Sequence, residues 1–199
     1  MYQKFAGLIF DMDGTLVDSG QLHEQAWIAT LKKYQIPLDR SLMRSLAGLS
    51  TKATVERLIK KFDCRQLAEA IEISEFKEAY VHQHIDSLVK PTSLFETVKQ
   101  YYNKKPMAVG TGASTLEAKK ILAACGLDKY IQYVVGADQV DNPKPAPDTF
   151  LLCAKLLEVS PEQCVVFEDA QLGLQAARAA GMTAIDVLQT HQIINNYFL

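Results

Sequence analysis

An α/β fold built on a parallel sheet, with a helical insert in its first crossover, is what this 199-residue sequence predicts, on three observations. Short apolar runs recur at 5–10, 107–110, 133–137, 164–167 and 183–187, and stretches with helical spacing separate the later ones. Strands alternating with helices specify crossover units and a parallel sheet. The first of these runs carries no charge, the pattern of a strand buried on both faces. Finally, residues 11–106 separate the first two runs, whereas a strand-to-strand crossover can close in about a dozen residues.

The elements follow in order. Strand one is the apolar run from Phe5 to Phe10. From 18 to 87 the pattern is helical almost throughout, with Leu22, Ala26 and Ala29, then Val55, Leu58, Ile59 and Phe62, then Leu67, Ala70 and Ile71 on apolar faces. This predicts a small helical cap, 18–87, inserted into a core made of 1–17 and 88–199. The second linker is placed at 87–93, where Pro91 and Thr92 end the helical pattern ahead of a helix over 94–102. Ala118, Ile121, Leu122 and Cys125 form the next helical stripe, closed by Gly126, and Leu174, Ala177 and Ala180 before Gly181 repeat the device. The tail, 189–199, is apolar enough to dock but too short to assign.

The bulk composition narrows the function classes. A 48% hydrophobic and 22% charged chain is in the ordinary folded range, and a formal net charge of -2 offers no positive field to a phosphate backbone. No nucleic-acid partner is expected. The longest apolar runs are strand-sized, far short of the roughly 20 residues that span a bilayer, so a cytoplasmic protein with no membrane partner is expected. A monomer or weak dimer is expected as well. Cys64, Cys125, Cys153 and Cys164 form no C-x-x-C pair and read as reduced core thiols.

Chemistry concentrates at strand ends. Strand one delivers Asp11 and Asp13, followed by Gly14 and Thr15, at the sheet edge where open α/β folds bind ligands. Two carboxylates about 4 Å apart repel by roughly 4 kcal/mol at an effective dielectric near 20, and a divalent cation would relieve that. Asp11 is read as a nucleophile able to form an aspartyl-phosphate, and Asp13 as the acid and base serving the leaving group and the water. Alone, the motif also fits a strand-end turn.

The second run continues into Thr111, Gly112, Ala113 and Ser114. Small residues there let backbone N–H groups approach a phosphoryl oxygen, with the Thr111 hydroxyl completing an anion cradle and Ser114 capping the helix. A plain turn is the alternative for Thr111. Lys144 stands among Pro143, Pro145 and Pro147, which are read as holding the segment extended until a helix opens. Its ammonium suits phosphoryl oxygens and the nucleophile; a lone loop lysine otherwise reads as solvated. The fourth run ends in Glu168 and Asp169, hard oxygen ligands suited to Mg²⁺, with helix capping by the aspartate as the bland reading. Asp11, Asp13, Glu168 and Asp169 are thus the candidate metal ligands.

Together Asp11-x-Asp13-Gly14-Thr15, Val109-Gly110-Thr111, Lys144-Pro145 with Pro147-Asp148, and Phe167-Glu168-Asp169-Ala170 resemble the four motifs of the haloacid dehalogenase superfamily, over nearly the whole chain. The resemblance implies a Rossmann-like core, a helical cap inserted after the first strand, and magnesium-dependent aspartyl-phosphate chemistry; Asp13 implies phosphotransfer, because dehalogenases lack the second aspartate. Within the superfamily the chain resembles the β-phosphoglucomutase-like group and its fructose-1-phosphatase-type members, so a small phosphorylated sugar is the implied substrate. His23 matches a linker histidine that couples cap closure to the acid/base aspartate, although the residue alone reads as helix surface. Mutases carry a cap arginine for the distal phosphate where this chain has Thr51, which argues for hydrolysis over mutase activity. Lys52 and Lys77 are the cap lysines available to contact substrate, and by themselves read as solvent-exposed. Apart from the mutase, the alternatives are a phosphorylatable signalling receiver, argued against by Asp13 and the insert, and a non-catalytic binding protein.

Overall fold

The computed structural model describes residues 1–64 and 68–199. In chain order the elements are β1 (Gly7–Phe10), β2 (Val17–Asp18), α1 (Gly20–Lys33), α2 (Arg40–Ser45), α3 (Thr51–Phe62), α4 (Ala70–Leu88), β3 (Lys90–Pro91), α5 (Phe95–Tyr101), β4 (Met107–Gly110), α6 (Thr115–Ala124), β5 (Tyr133–Val135), α7 (Asp148–Leu156), β6 (Cys164–Glu168), α8 (Gln171–Ala179), β7 (Thr183–Asp186) and α9 (Val187–Thr190). Five strands form one sheet in the order β5-β4-β1-β6-β7, every pair parallel. The core is therefore the Rossmann-type α/β sheet expected.

Strand β1 sits in the middle because its side chains can be buried on both faces. Leu8 and Phe10 point into one apolar layer with Val98, Val109, Ile121 and Phe167, whereas Ile9 points into the opposite layer with Phe150, Val166 and Ala177, the alternation a strand imposes. Each such fully buried side chain contributes about 1.5–3 kcal/mol. Phe10 and Phe167 stack with ring centroids 4.8 Å apart. Register then aligns chemistry: Phe10 pairs with Val109 on one side and with Phe167 on the other. The three central strands end at one level, and Asp11, Thr111, Glu168 and Asp169 emerge there.

The insert consists of α1, α2, α3 and α4, with α1 and α3 packed on α4 around Trp27, Leu31, Val55, Leu58 and Ile73. The two linkers do not merely pass side by side: Val17 pairs with Pro91 and Asp18 with Lys90 in a short antiparallel ribbon. Pro91 is tolerated because the ribbon has only edges.

Several details differ from expectation. Leu67 lies outside the described residues. Ile71 is 69% exposed, because the inward face of α4 is Ile73, Ser74, Lys77, Val81 and Ile85, one step round from the phase expected. The third strand stops at Val135 rather than 137, as Gly136 leads into a short 3-10 turn over Ala137–Gln139. Tail residues Tyr197 and Phe198 are buried in the cap cluster. All four cysteines are free, and burial pushes the Cys153 thiol up to about 12.

Candidate active site

Asp11 follows β1 directly, 4% exposed, its N–H donating to Phe167 O at 2.9 Å. The Lys144 ammonium donates to Asp11 Oδ1 at 2.6 Å and to Glu168 Oε2 at 2.8 Å, and stands 4.6 Å from the centroid of the Phe150 ring. The lysine is fully buried, not solvated. Its segment folds as a tight turn, with Ala146 N donating to Pro143 O, rather than running extended; the Lys144–Pro145 peptide is cis, and Pro147 is the N-cap of α7. Burial alone would pull the lysine down, but the charges of Asp11 and Glu168 hold it above its ordinary value. It stays a cation.

Asp11, Glu168 and Asp169 each place a carboxylate oxygen within 4.8 Å of the others. Burial pushes Asp11 well up and Glu168 adds to it, with Lys144 opposing; burial, then Glu168, pushes Asp169 up to about 7. One ammonium does not balance three buried carboxylates. The cluster thus fits a divalent cation, with Asp11 and Asp169 the residues placed to hold it. Glu168 is the less available, since Oε1 accepts from the N–H groups of Asp169 and Ala170 and Oε2 from Lys144. Thr15 donates to Asp169 Oδ1 at 2.9 Å.

These shifts fix the sign of a pH effect. The folded protein without a cation keeps a proton on Asp169 up to about 7, whereas an unfolded aspartate releases it near 3.9, so stability falls as pH rises through that window. Removing divalent cations with EDTA is expected to lower the melting temperature more near pH 8 than near pH 5.5, and thermal melts in both buffers check it.

The structure does not bring the Asp13 side chain into the acidic cluster. Its Oδ1 accepts from Ser19 Oγ at 2.6 Å and pairs with His23 Nε2 at 2.9 Å, and a quarter of the side chain is open to the cavity. Burial acts to raise Asp13, but His23 and Ser19 outweigh it and the carboxyl is held below its ordinary value. Asp11 and Asp13 therefore face different partners across one cavity. His23 is a half-buried cavity residue instead of a surface one.

On the neighbouring strand, Thr111 is 1% exposed and its hydroxyl oxygen accepts from Ala113 N at 3.1 Å, leaving the hydroxyl hydrogen for an anion. Ser114 caps α6, accepting from Glu117 N. Gly112 and Ala113 line the cavity, and the cap loop reaches them: a Cβ on Gly112 would stand 2.8 Å from Gly48 O and 2.9 Å from Leu49 O. The cavity measures about 90 Å³, well under the ~300 Å³ at which small-molecule pockets begin. The cap is closed.

The cap lysines separate. Lys52 is exposed and does not line the cavity, because α3 starts at Thr51 and turns Thr51, Thr54, Val55 and Leu58 inward. Lys77, also read as exposed, is 3% exposed, lines the cavity and pairs with Glu117 at 3.4 Å. Glu117 Oε2 is buried without a partner among the described residues. Sequence reasoning missed Glu117, Thr15, Ser19 and Asn195 as cavity or cluster residues. Lys77 did carry a signal: it breaks the apolar stripe of Ile73, Val81 and Ile85.

A family model of haloacid dehalogenase-like hydrolases matches residues 8–187. The chain belongs to that family. Among its relatives, the fructose-1-phosphate phosphatase YqaB of Escherichia coli is 46% identical over 191 residues, covering 94% of this chain and 98% of that protein. The β-phosphoglucomutase of Bacillus subtilis is 28% identical, covering 92% and 83%. In three dimensions this haloacid dehalogenase-like chain is similar to the crystal structure of β-phosphoglucomutase from Clostridium difficile, with a TM-score of 0.81, 25% identity, and 90% and 83% of the two chains covered. Among the described residues no helix is long and apolar enough to cross a membrane.

Proposed function

We propose that this protein is a magnesium-dependent phosphatase acting on small phosphorylated sugars through an aspartyl-phosphate at Asp11. The observation that carries the reading is the division of labour around one cavity. Asp11 is held by Lys144 in an acidic cluster, while Asp13 is held apart by Ser19 and His23. A relative named fructose-1-phosphate phosphatase, 46% identical, supports the substrate class.

Asp11 and Asp169 are the residues that would hold a divalent cation, which would offset the charge that otherwise keeps a phosphoryl group from a carboxylate. Asp11 then attacks phosphorus, the bond from phosphorus to the sugar oxygen breaks, and Asp13, which must take up a proton against the pull of His23 and Ser19, delivers it to the departing oxygen. A water next gives a proton to Asp13 and attacks phosphorus, which frees Asp11 and releases inorganic phosphate. The Thr111 hydroxyl, on the cavity wall, binds a phosphoryl oxygen, while Lys144, buried between Asp11 and Glu168, sets the Asp11 carboxylate. His23, reaching in from α1 of the cap, sets the Asp13 carboxylate when the cap closes and excludes water.

Hydrolysis is favoured over mutase chemistry by the far wall of the cavity. Thr51 lines it in place of an arginine, and Lys77, a cation on the same wall, is already paired with Glu117. Among the described residues a second phosphate would find no free positive charge on that wall; Glu117, whose Oε2 is buried at the wall without a partner, could accept from a sugar hydroxyl only once the substrate reaches it. Glu117→Gln is therefore expected to raise the KM for fructose 1-phosphate about tenfold, the value of one charge-assisted hydrogen bond, with a smaller effect on kcat. Steady-state kinetics check it.

The overall reading is tested by incubating the protein and magnesium with fructose 1-phosphate and, separately, with glucose 1-phosphate. Release of inorganic phosphate that EDTA abolishes supports it. Conversion of a hexose phosphate into an isomer without free phosphate would replace it with the mutase.

A further inference from the structure

We infer that Asn195, in the segment that follows α9, is a positioning residue for Asp169 and through it for the bound cation. The inference rests on the reading of Asp169 as a metal ligand given above. Asn195 Nδ2 donates to Asp169 Oδ2 at 2.6 Å, while Asn195 Oδ1 accepts from Tyr197 N at 2.9 Å. The amide orientation is the one both neighbours require, since a carboxylate accepts and an N–H donates. With Thr15 on the other oxygen, each Asp169 oxygen has one donor holding it. That fixes the rotation of the carboxylate and leaves lone pairs for a cation.

The segment is built in on both sides. Ile193 packs into the core layer, whereas Tyr197 and Phe198 join the cap cluster around Trp27 and Leu31. Arg44 of α2 donates to the carbonyls of Asn195 at 2.8 Å and Tyr197 at 2.6 Å, and Phe198 N donates to Glu24 Oε2 of α1 at 2.8 Å. Helices of the cap thus hold the segment that carries Asn195 to Asp169. Gly14, at φ +84°, makes room: a Cβ there would run into Asn195 Nδ2 and stand 2.6 Å from Asp169 Oδ2.

Asn195 itself lies beyond residue 187, where the family match ends, although Asp169, Thr15 and Arg44 lie within it. Partners that orient a metal ligand typically contribute about 10–100-fold in metal affinity. A segment that only sealed the cavity would influence stability and leave that affinity alone.

The test is calorimetric titration of magnesium chloride into wild type, Asn195→Ala and Arg44→Met. Asn195→Ala is expected to weaken magnesium binding about 10- to 100-fold, with excess magnesium restoring most of the lost turnover. Arg44→Met, which leaves Asn195 in place but unclasps the segment, is expected to weaken binding in the same direction and to speed hydrogen exchange at the Tyr197 and Phe198 amides. Wild-type affinity in Asn195→Ala, even with a lowered melting temperature, overturns the inference while the phosphatase reading stands. No magnesium binding by wild type overturns the metal reading and the inference together.

Discussion

Asp11→Asn is expected to abolish turnover while leaving the protein folded. The amide is close to isosteric with the carboxylate but does not serve as the nucleophile, and loss of a covalent nucleophile costs on the order of 10⁵- to 10⁶-fold in kcat. Folding is buffered by two opposing changes. The variant loses the 2.6 Å ion pair with Lys144, yet it also removes a carboxylate that burial and Glu168 disfavour in charged form. Lys144 keeps Glu168 at 2.8 Å as its counterion. The measurements are phosphate release and thermal melting, and an Asp11→Asn protein that melts near wild type yet retains a tenth of its activity would remove Asp11 from the mechanism.

Lys144→Met is expected to damage both activity and stability. The side chain is fully buried between two carboxylates, and removing one partner of a buried ion pair leaves uncompensated charge worth about 3–5 kcal/mol. In a chain of this size that lowers the melting temperature on the order of 10 °C. Magnesium is expected to recover part of the loss, because a cation beside Asp11 supplies some of the missing charge, so the stabilisation by magnesium is larger in the variant than in wild type. Paired melts with magnesium and with EDTA check this. A melting temperature unchanged in EDTA would mean that the Lys144 bridge contributes nothing to the fold.

What the sequence made legible follows from register. Parallel strands of similar length that end at one level must place their following residues together, so apolar runs ending in Asp11, Thr111 and Glu168–Asp169 could be brought to one edge without coordinates. Lys144 could be named from its motif, but not its burial, because nothing local says that a proline-flanked turn folds under the sheet edge. Helix phase was the weaker guide. Lys52 lies one residue after Thr51, about 100° around α3, and is carried away from the cavity, whereas Lys77 falls on the inward face of α4. The partner Glu117 comes from a core helix 40 residues later, a pairing no local pattern encodes. Asn195 was beyond reach for the same reason: its link to Asp169 depends on where cap residues Arg44 and Glu24 fasten the segment, and that is tertiary information.

Chemical trapping of the covalent intermediate identifies the residue that takes the phosphoryl group. Enzyme turning over fructose 1-phosphate with magnesium is quenched into sodium borohydride, which reduces an acyl phosphate to the alcohol, and peptides are sequenced by mass spectrometry. Homoserine at position 11, and no other modified carboxylate, is expected. Homoserine at a different position, or none from enzyme that is releasing phosphate, would contradict Asp11 as that residue.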